Sequence, residues 1–141
     1  MNEARVTVIV PSFNRARLLE RTIPSYLQEG AGELILVDDC STDETAAVVA
    51  GLAERDGRIR YLKSERTLKQ THAKNLGIAA ARFPLLNFAD DYSNLLPGSL
   101  PRLLATMEET GADIVGARAP YMESAEDAAD PAAFAARQPA M

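Results

Sequence analysis

The chain has 141 residues, 47% apolar and 25% charged, which suits one compact domain with a modest core and leaves no room for a second full domain. Its formal charge of −5 argues against a non-specific nucleic-acid binder, which needs a cationic face to displace counterions from phosphates. The single cysteine, Cys40, cannot close an internal disulfide, Met1 to Arg5 lacks the apolar core of a secretory signal, and no run approaches the ~20 apolar residues of a membrane helix. A cytoplasmic setting is the default, with peripheral attachment to a membrane left open.

Val6 to Val10 is a β-branched run closed by Pro11 and predicts a buried strand. Asn14 is placed to cap a following helix, in which Leu19, Ile23, Tyr26 and Leu27 recur at helical spacing and Pro24 is expected to kink or restart the pattern. After the turn Glu29-Gly30-Ala31-Gly32, Leu34 to Val37 predicts a second strand. Ser41-Thr42-Asp43-Glu44 has the capping-box arrangement before a helix carrying Ala46, Val49, Ala50 and Ala53 on one face. Arg58 to Leu62 is a third strand, Ala73, Leu76, Gly77 and Ala80 mark a helix, and Pro84 to Phe88 begins a fourth strand. Leu100, Leu103, Leu104 and Met107 form another helical stripe, and Asp113 to Gly116 is expected as a fifth strand. From Ala119 the pattern dissolves, apart from a weak helical turn near Ala132 to Arg137. The expected division is therefore a binding domain over residues 1–118 and a poorly packed or disordered tail over 119–141.

Strands alternating with helices across short turns imply an α/β fold with an open, mostly parallel sheet flanked by helices. Ligands of such sheets bind outside the carboxyl ends of the strands. Three polar clusters fall there: Pro11-Ser12-Phe13-Asn14-Arg15, Asp38-Asp39-Cys40-Ser41 and Asp90-Asp91-Tyr92. Each acidic pair has two readings. Aspartates serve well as helix caps, and paired carboxylates at a rim also suit a ligand, since they raise each other's pKa unless donors or a cation compensate. A carboxylate can accept from a base N–H or a ribose hydroxyl, whereas one facing a diphosphate needs a hard divalent cation.

Four blocks taken together carry a family resemblance. Val8 to Arg15, Leu36 to Asp43, Ala73 to Ala81, and Phe88-Ala89-Asp90-Asp91 with Pro97-Gly98-Ser99-Leu100 resemble, in order, the successive blocks of family-2 glycosyltransferases of the GT-A fold. The likeness runs from about Val6 to Val115. It implies transfer of a sugar from a nucleoside-diphosphate donor, often UDP-linked, to an acceptor hydroxyl with inversion. By the same resemblance, Pro11, Ser12 and Phe13 line the base pocket together with Asn14, while Asp38 and Asp39 hold base and ribose. Asp90 touches the ribose, and Asp91 binds Mg2+ or Mn2+ beside the diphosphate. Lys69 and Lys74 stand where diphosphate contacts are expected.

The departures are specific. Tyr92 stands where the metal motif ends in an aspartate, and a neutral phenol is a poor hard-cation ligand, which predicts weak or absent metal binding. Cys40 replaces a common glycine and restricts the turn if that position needs a positive φ. The block that supplies the general base and binds the acceptor is not recognisable, which predicts a truncated domain. Either the chain is a piece of a longer transferase, the favoured reading, or a partner, a second copy included, completes the site. A non-catalytic nucleotide or nucleotide-sugar-binding module is the alternative function. A phosphorylation receiver is excluded, because Ser12, Lys63-Ser64 and Ala117 stand where its acidic pair, acceptor aspartate and lysine belong.

Overall fold

A computed structural model describes residues 1–117 and 130–137. A single turn of 3-10 helix, Glu3–Arg5, leads into strand β1 (Val6–Ser12), helix α1 (Ala16–Gln28), β2 (Glu33–Asp38), α2 (Thr45–Arg55), β3 (Ile59–Lys63), α3 (Lys69–Ala80), β4 (Leu85–Phe88) and α4 (Ser99–Thr110). A short helix, α5, covers Pro131–Ala136 and buries Phe134. Of the expected tail, residues 119–129 and 138–141 lie outside the described residues.

The four strands are parallel in the order β3-β2-β1-β4. Chain order sets this pattern. The connections through α1 and α2 step outward from β1 to β3, and the connection through α3 then crosses back to place β4 on the other side of β1. The strand order reverses between β1 and β4, the position where open α/β sheets bind ligands.

Alternation along the strands divides the core into two layers. Val6, Val8 and Val10 pack with Leu34 and Leu36 against Leu19, Ile23, Tyr26 and Leu27 of α1, Val49 and Leu52 of α2, and Leu100 and Leu104 of α4. Ile9, Ile35 and Val37 face the other way, onto Ala73 of α3. Each fully buried aliphatic side chain contributes about 1.5–3 kcal/mol relative to exposure, which is why these short strands hold their register. α3 approaches β1 closely. A β-carbon on Gly77 would stand 2.5 Å from Ile9 Cγ2, so only glycine admits this contact.

Two sequence expectations are corrected here. Pro24 does not restart the helix, since α1 runs unbroken from Ala16 to Gln28. Leu19 and Ile23 before the proline and Tyr26 and Leu27 after it are buried on one face, and that packing outweighs the missing backbone hydrogen bond. Asp113 to Gly116 is not a strand. Ile114 is 89% exposed, and no strand lies beside it among the described residues to supply a ladder.

The amino end of the sheet is fastened by Glu33, the first residue of β2 and only 2% exposed. Its Oε2 accepts from Thr7 Oγ1 at 2.8 Å and from the Arg82 amide at 3.0 Å, and its Oε1 accepts from Arg60 Nη1 at 2.7 Å. Burial alone would push this carboxyl up. The Arg82 amide, the Arg60 guanidinium and the Thr7 hydroxyl together hold it below the ordinary 4.5.

Candidate functional site

The carboxyl ends of β1 and β4 are joined by one buried contact. Ser12 Oγ donates to Asp91 Oδ2 at 2.8 Å, and both residues are buried. Burial pushes the Asp91 carboxyl above its ordinary 3.8, against the opposing pull of the Ser12 hydroxyl, the Arg15 charge and the Phe13 amide. Phe13, half exposed, follows Ser12 at this rim, and exposed Tyr92 follows Asp91. Asp90 meets α1 through its backbone: its carbonyl accepts from Tyr26 Oη at 3.1 Å. Neither Asp90 nor Asp91 caps a helix; α4 begins beyond Gly98, whose φ is +80°.

The loops after β1 and β2 clasp one another. Asn14 adopts a left-handed φ of +52°. Its amide donates to Ser41 Oγ at 2.9 Å, and its Oδ1 accepts from the amides of Thr42 and Asp43 at 2.8 and 3.3 Å. Asp43 reciprocates, accepting from the Ala16 amide at 3.1 Å at the start of α1 and from Thr45 Oγ1 at 2.6 Å at the start of α2. The two expected caps are therefore corrected. Asn14 caps the neighbouring loop rather than its own helix, and the Ser41–Glu44 capping box does not form, because Ser41 is taken by Asn14 and α2 starts only at Thr45.

Asp38 and Asp39 have separate partners. Asp38 is fully buried; its Oδ1 accepts from the Ser41 amide at 2.8 Å and its Oδ2 accepts from the Tyr61 hydroxyl. Burial and the Asp38 charge hold the Tyr61 phenol protonated, far above its ordinary range. Asp39 is half-buried, and its carboxylate accepts from the amides of Leu68 and Lys69 at the start of α3. Cys40, which follows them, has a φ of +67°, which explains why glycine is common at this position in the family the sequence resembles. Lys69 is exposed, also left-handed at φ +61°, and Lys74 places Nζ over the Phe88 ring at 5.8 Å, at the carboxyl end of β4.

All the residues singled out from sequence thus stand at one rim, on the loops after β1, β2 and β4 and on α3. Sequence reading missed Tyr26 and Tyr61, whose hydroxyls reach the acidic loops, and the bridging role of Asp43. Asp43 carries a partial signal, since an Asp two residues before a Thr suits a local turn. The tyrosines carry none, because their partners lie 64 and 23 positions away. For a divalent cation, no group of three or more His, Cys, Asp or Glu gathers among the described residues. Asp91 offers one carboxylate beside Tyr92, so these residues fit a metal only where the ligand's own phosphate oxygens complete its shell.

A parallel sheet with acidic loops converging at the strand-order reversal defines a GT-A-type α/β domain, here a partial one. The pattern of Glycosyl transferase family 2 matches residues 7–134, and the chain belongs to that family. It is 36% identical over 115 residues to the GalNAc(5)-diNAcBac-PP-undecaprenol beta-1,3-glucosyltransferase of Campylobacter jejuni, covering 79% of this chain and 37% of that protein. With the succinoglycan biosynthesis protein ExoO of Rhizobium meliloti the identity is 37% over 111 residues, 77% of this chain and 31% of the relative. Among solved structures, the mannosyltransferase PcManGT of Pyrobaculum calidifontis in complex with GDP-Man and Mn2+ superposes with a TM-score of 0.64 at 28% identity, over 77% of this chain and 32% of that one. S. aureus TarS in complex with UDP shares the fold, with a TM-score of 0.68 at 20% identity over 83% of this chain and 38% of that one. The chain spans about a third of the length of the curated relatives it matches. No helix among the described residues is long and apolar enough to cross a membrane.

Proposed function

We propose that residues 1–118 are the donor-binding portion of a glycosyltransferase that takes a sugar from a nucleoside diphosphate, UDP being the favoured carrier, and passes it to an acceptor hydroxyl with inversion. The observation that carries this reading is the Ser12–Asp91 hydrogen bond, which brings the acidic loop after β4 against the end of β1 where the strand order reverses. In this reading Pro11, Ser12, Phe13 and Asn14 wall the base. Asp38, fully buried with both oxygens bonded, shapes the turn rather than holding the base or ribose as the resemblance implies, and Asp39 shares its carboxylate between the α3 amides and a base N–H or ribose hydroxyl. Asp90 meets the ribose, and Lys69 and Lys74 meet the diphosphate. Mg2+ or Mn2+ would be held by Asp91 together with diphosphate oxygens, where it offsets charge on the leaving group. UDP in the TarS complex and GDP-Man with Mn2+ in the mannosyltransferase support the ligand class.

The same reading places acceptor binding and the general base outside residues 1–118, further along a longer chain or on a partner, a second copy included. A cytoplasmic domain held peripherally at a membrane suits a polyprenyl-linked acceptor of the kind named for the Campylobacter relative.

Calorimetric titration with UDP, with and without Mn2+, tests the proposal. Binding that strengthens at least about tenfold with Mn2+ and disappears in Asp39→Ala supports it; absence of binding under both conditions removes it. Tyr92, in place of the carboxylate that ends the metal motif, favours a second reading: a module that binds nucleotide-sugar without catalysis. Release of UDP from a UDP-sugar by this chain alone excludes that alternative.

A further inference from the structure

The acidic loop after β4 is held from two sides. Ser12 holds Asp91 on the β1 side. On the other side, α1 supplies two consecutive residues. Tyr26 Oη reaches the carbonyl oxygens of Asp90 at 3.1 Å and Ser93 at 3.2 Å and lies 2.8 Å from Ser93 Oγ. Ser25 Oγ accepts from the Leu95 amide at 3.2 Å. Nothing else in the fold requires a hydroxyl at position 26. The Tyr26 ring packs among Leu19, Ile23 and Leu27 on the apolar side of the sheet, where phenylalanine would bury the same ring. The hydroxyl instead extends past that core to a loop 64 residues further along the chain.

We propose that Tyr26 is a positioning residue for the donor site: its hydroxyl fixes the 90–95 loop against α1 and so sets where Asp90 and Asp91 present their carboxylates. The proposal rests on the donor-binding reading for the ligand, but not for the loop. One phenolic proton lies between two partly buried carbonyls, with the Ser93 hydroxyl as a third partner, so deleting it removes the contact that ties the loop to α1. Burial raises the Tyr26 phenol above its ordinary 10.0, so it remains a donor throughout the pH range in which the fold is studied.

The test uses the full chain and its Tyr26→Phe variant with two readouts. The first is amide hydrogen exchange of the ligand-free protein. Exchange of the Ser93 to Leu95 amides is expected to accelerate about tenfold in the variant, while the β1 and β2 amides keep their protection. The second is calorimetric affinity for UDP with Mn2+, expected to weaken about five- to tenfold in a variant that still melts cooperatively. Unchanged loop exchange overturns the proposal. Accelerated exchange with unchanged UDP affinity overturns the link to the ligand and leaves Tyr26 a structural tether. If the unaltered chain binds no UDP, the donor reading falls and the exchange rates alone decide whether Tyr26 fixes the loop.

Discussion

Both ends of the sheet bury carboxylates, and Glu33 at one end is treated differently from Asp91 at the other. At the amino end, Glu33 is surrounded by a hydroxyl, an amide and a guanidinium and is held below its ordinary range. At the carboxyl end, burial outweighs the donors around Asp91 and pushes it up. Backbone conformation follows the same division. Among the described residues the three non-glycine positions with positive φ are Asn14, Cys40 and Lys69, all at the carboxyl rim, while Gly30 makes the left-handed turn entering β2 at the amino end. A fully compensated charge on a relaxed backbone belongs to the scaffold. An under-compensated charge at the rim that carries the strained residues is what the proposed donor site would use.

The largest effect expected from this contrast is at Glu33. Replacing it with Ala removes the acceptor shared by Thr7, Arg60 and Arg82 and should cost about 3 kcal/mol, read as a lower urea midpoint. UDP affinity in the folded fraction should change less than about twofold, since the network lies at the opposite end of the strands. Loss of binding without loss of stability would show that the two ends are not separate. The pH dependence follows from the lowered folded pKa. Stability from Glu33 is complete above the ordinary 4.5 and is lost as pH falls through its lower folded value, so Glu33→Gln should converge on the parent in acid.

How legible this contrast was in the sequence depends on the range of each interaction. The strands and helices rest on local periodicity, and four strands and four helices of the α/β sheet lie close to where that periodicity placed them. The rim residues were legible because parallel strands carry their loops to one edge whatever else the chain does. Their partners were not. Asn14 reads as a cap for the helix beside it, but it bonds to amides 28 and 29 positions away. Glu33 draws no reading from its neighbours, and the buried network it anchors reaches Arg82, 49 positions on. Asp113 to Gly116 has a strand's composition, yet a strand exists only beside another.

Asp91 should respond in the opposite sense to Glu33. Its raised folded pKa means that ionisation costs stability above that value; the cost is relieved as pH falls through it and vanishes below the ordinary 3.8. Asp91→Asn keeps an acceptor for Ser12 Oγ without the buried charge. It should be about 1 kcal/mol more stable than the parent at pH 7, with the gap closing on acidification, while Mn2+-dependent UDP binding falls at least about tenfold. A variant that loses stability at neutral pH would place Asp91 in the scaffold beside Glu33.

The smallest effect separates two left-handed residues of the same rim. At Cys40 no side-chain hydrogen bond accompanies the φ of +67°, so Cys40→Gly relieves strain, partly offset by the greater freedom glycine gives the unfolded chain, and should raise stability by about 0.5 kcal/mol. Asn14→Gly relieves similar strain at φ +52° but deletes the oxygen that accepts from Thr42 and Asp43, so it should lower stability by about 0.5 kcal/mol. Urea midpoints measured side by side give the sign of each change. Opposite signs mean that the left-handed geometry at Asn14 is kept by the side chain it presents and that at Cys40 by the turn alone. Matching signs would mean that backbone strain governs both positions and that the clasp between the two loops adds nothing measurable to the fold.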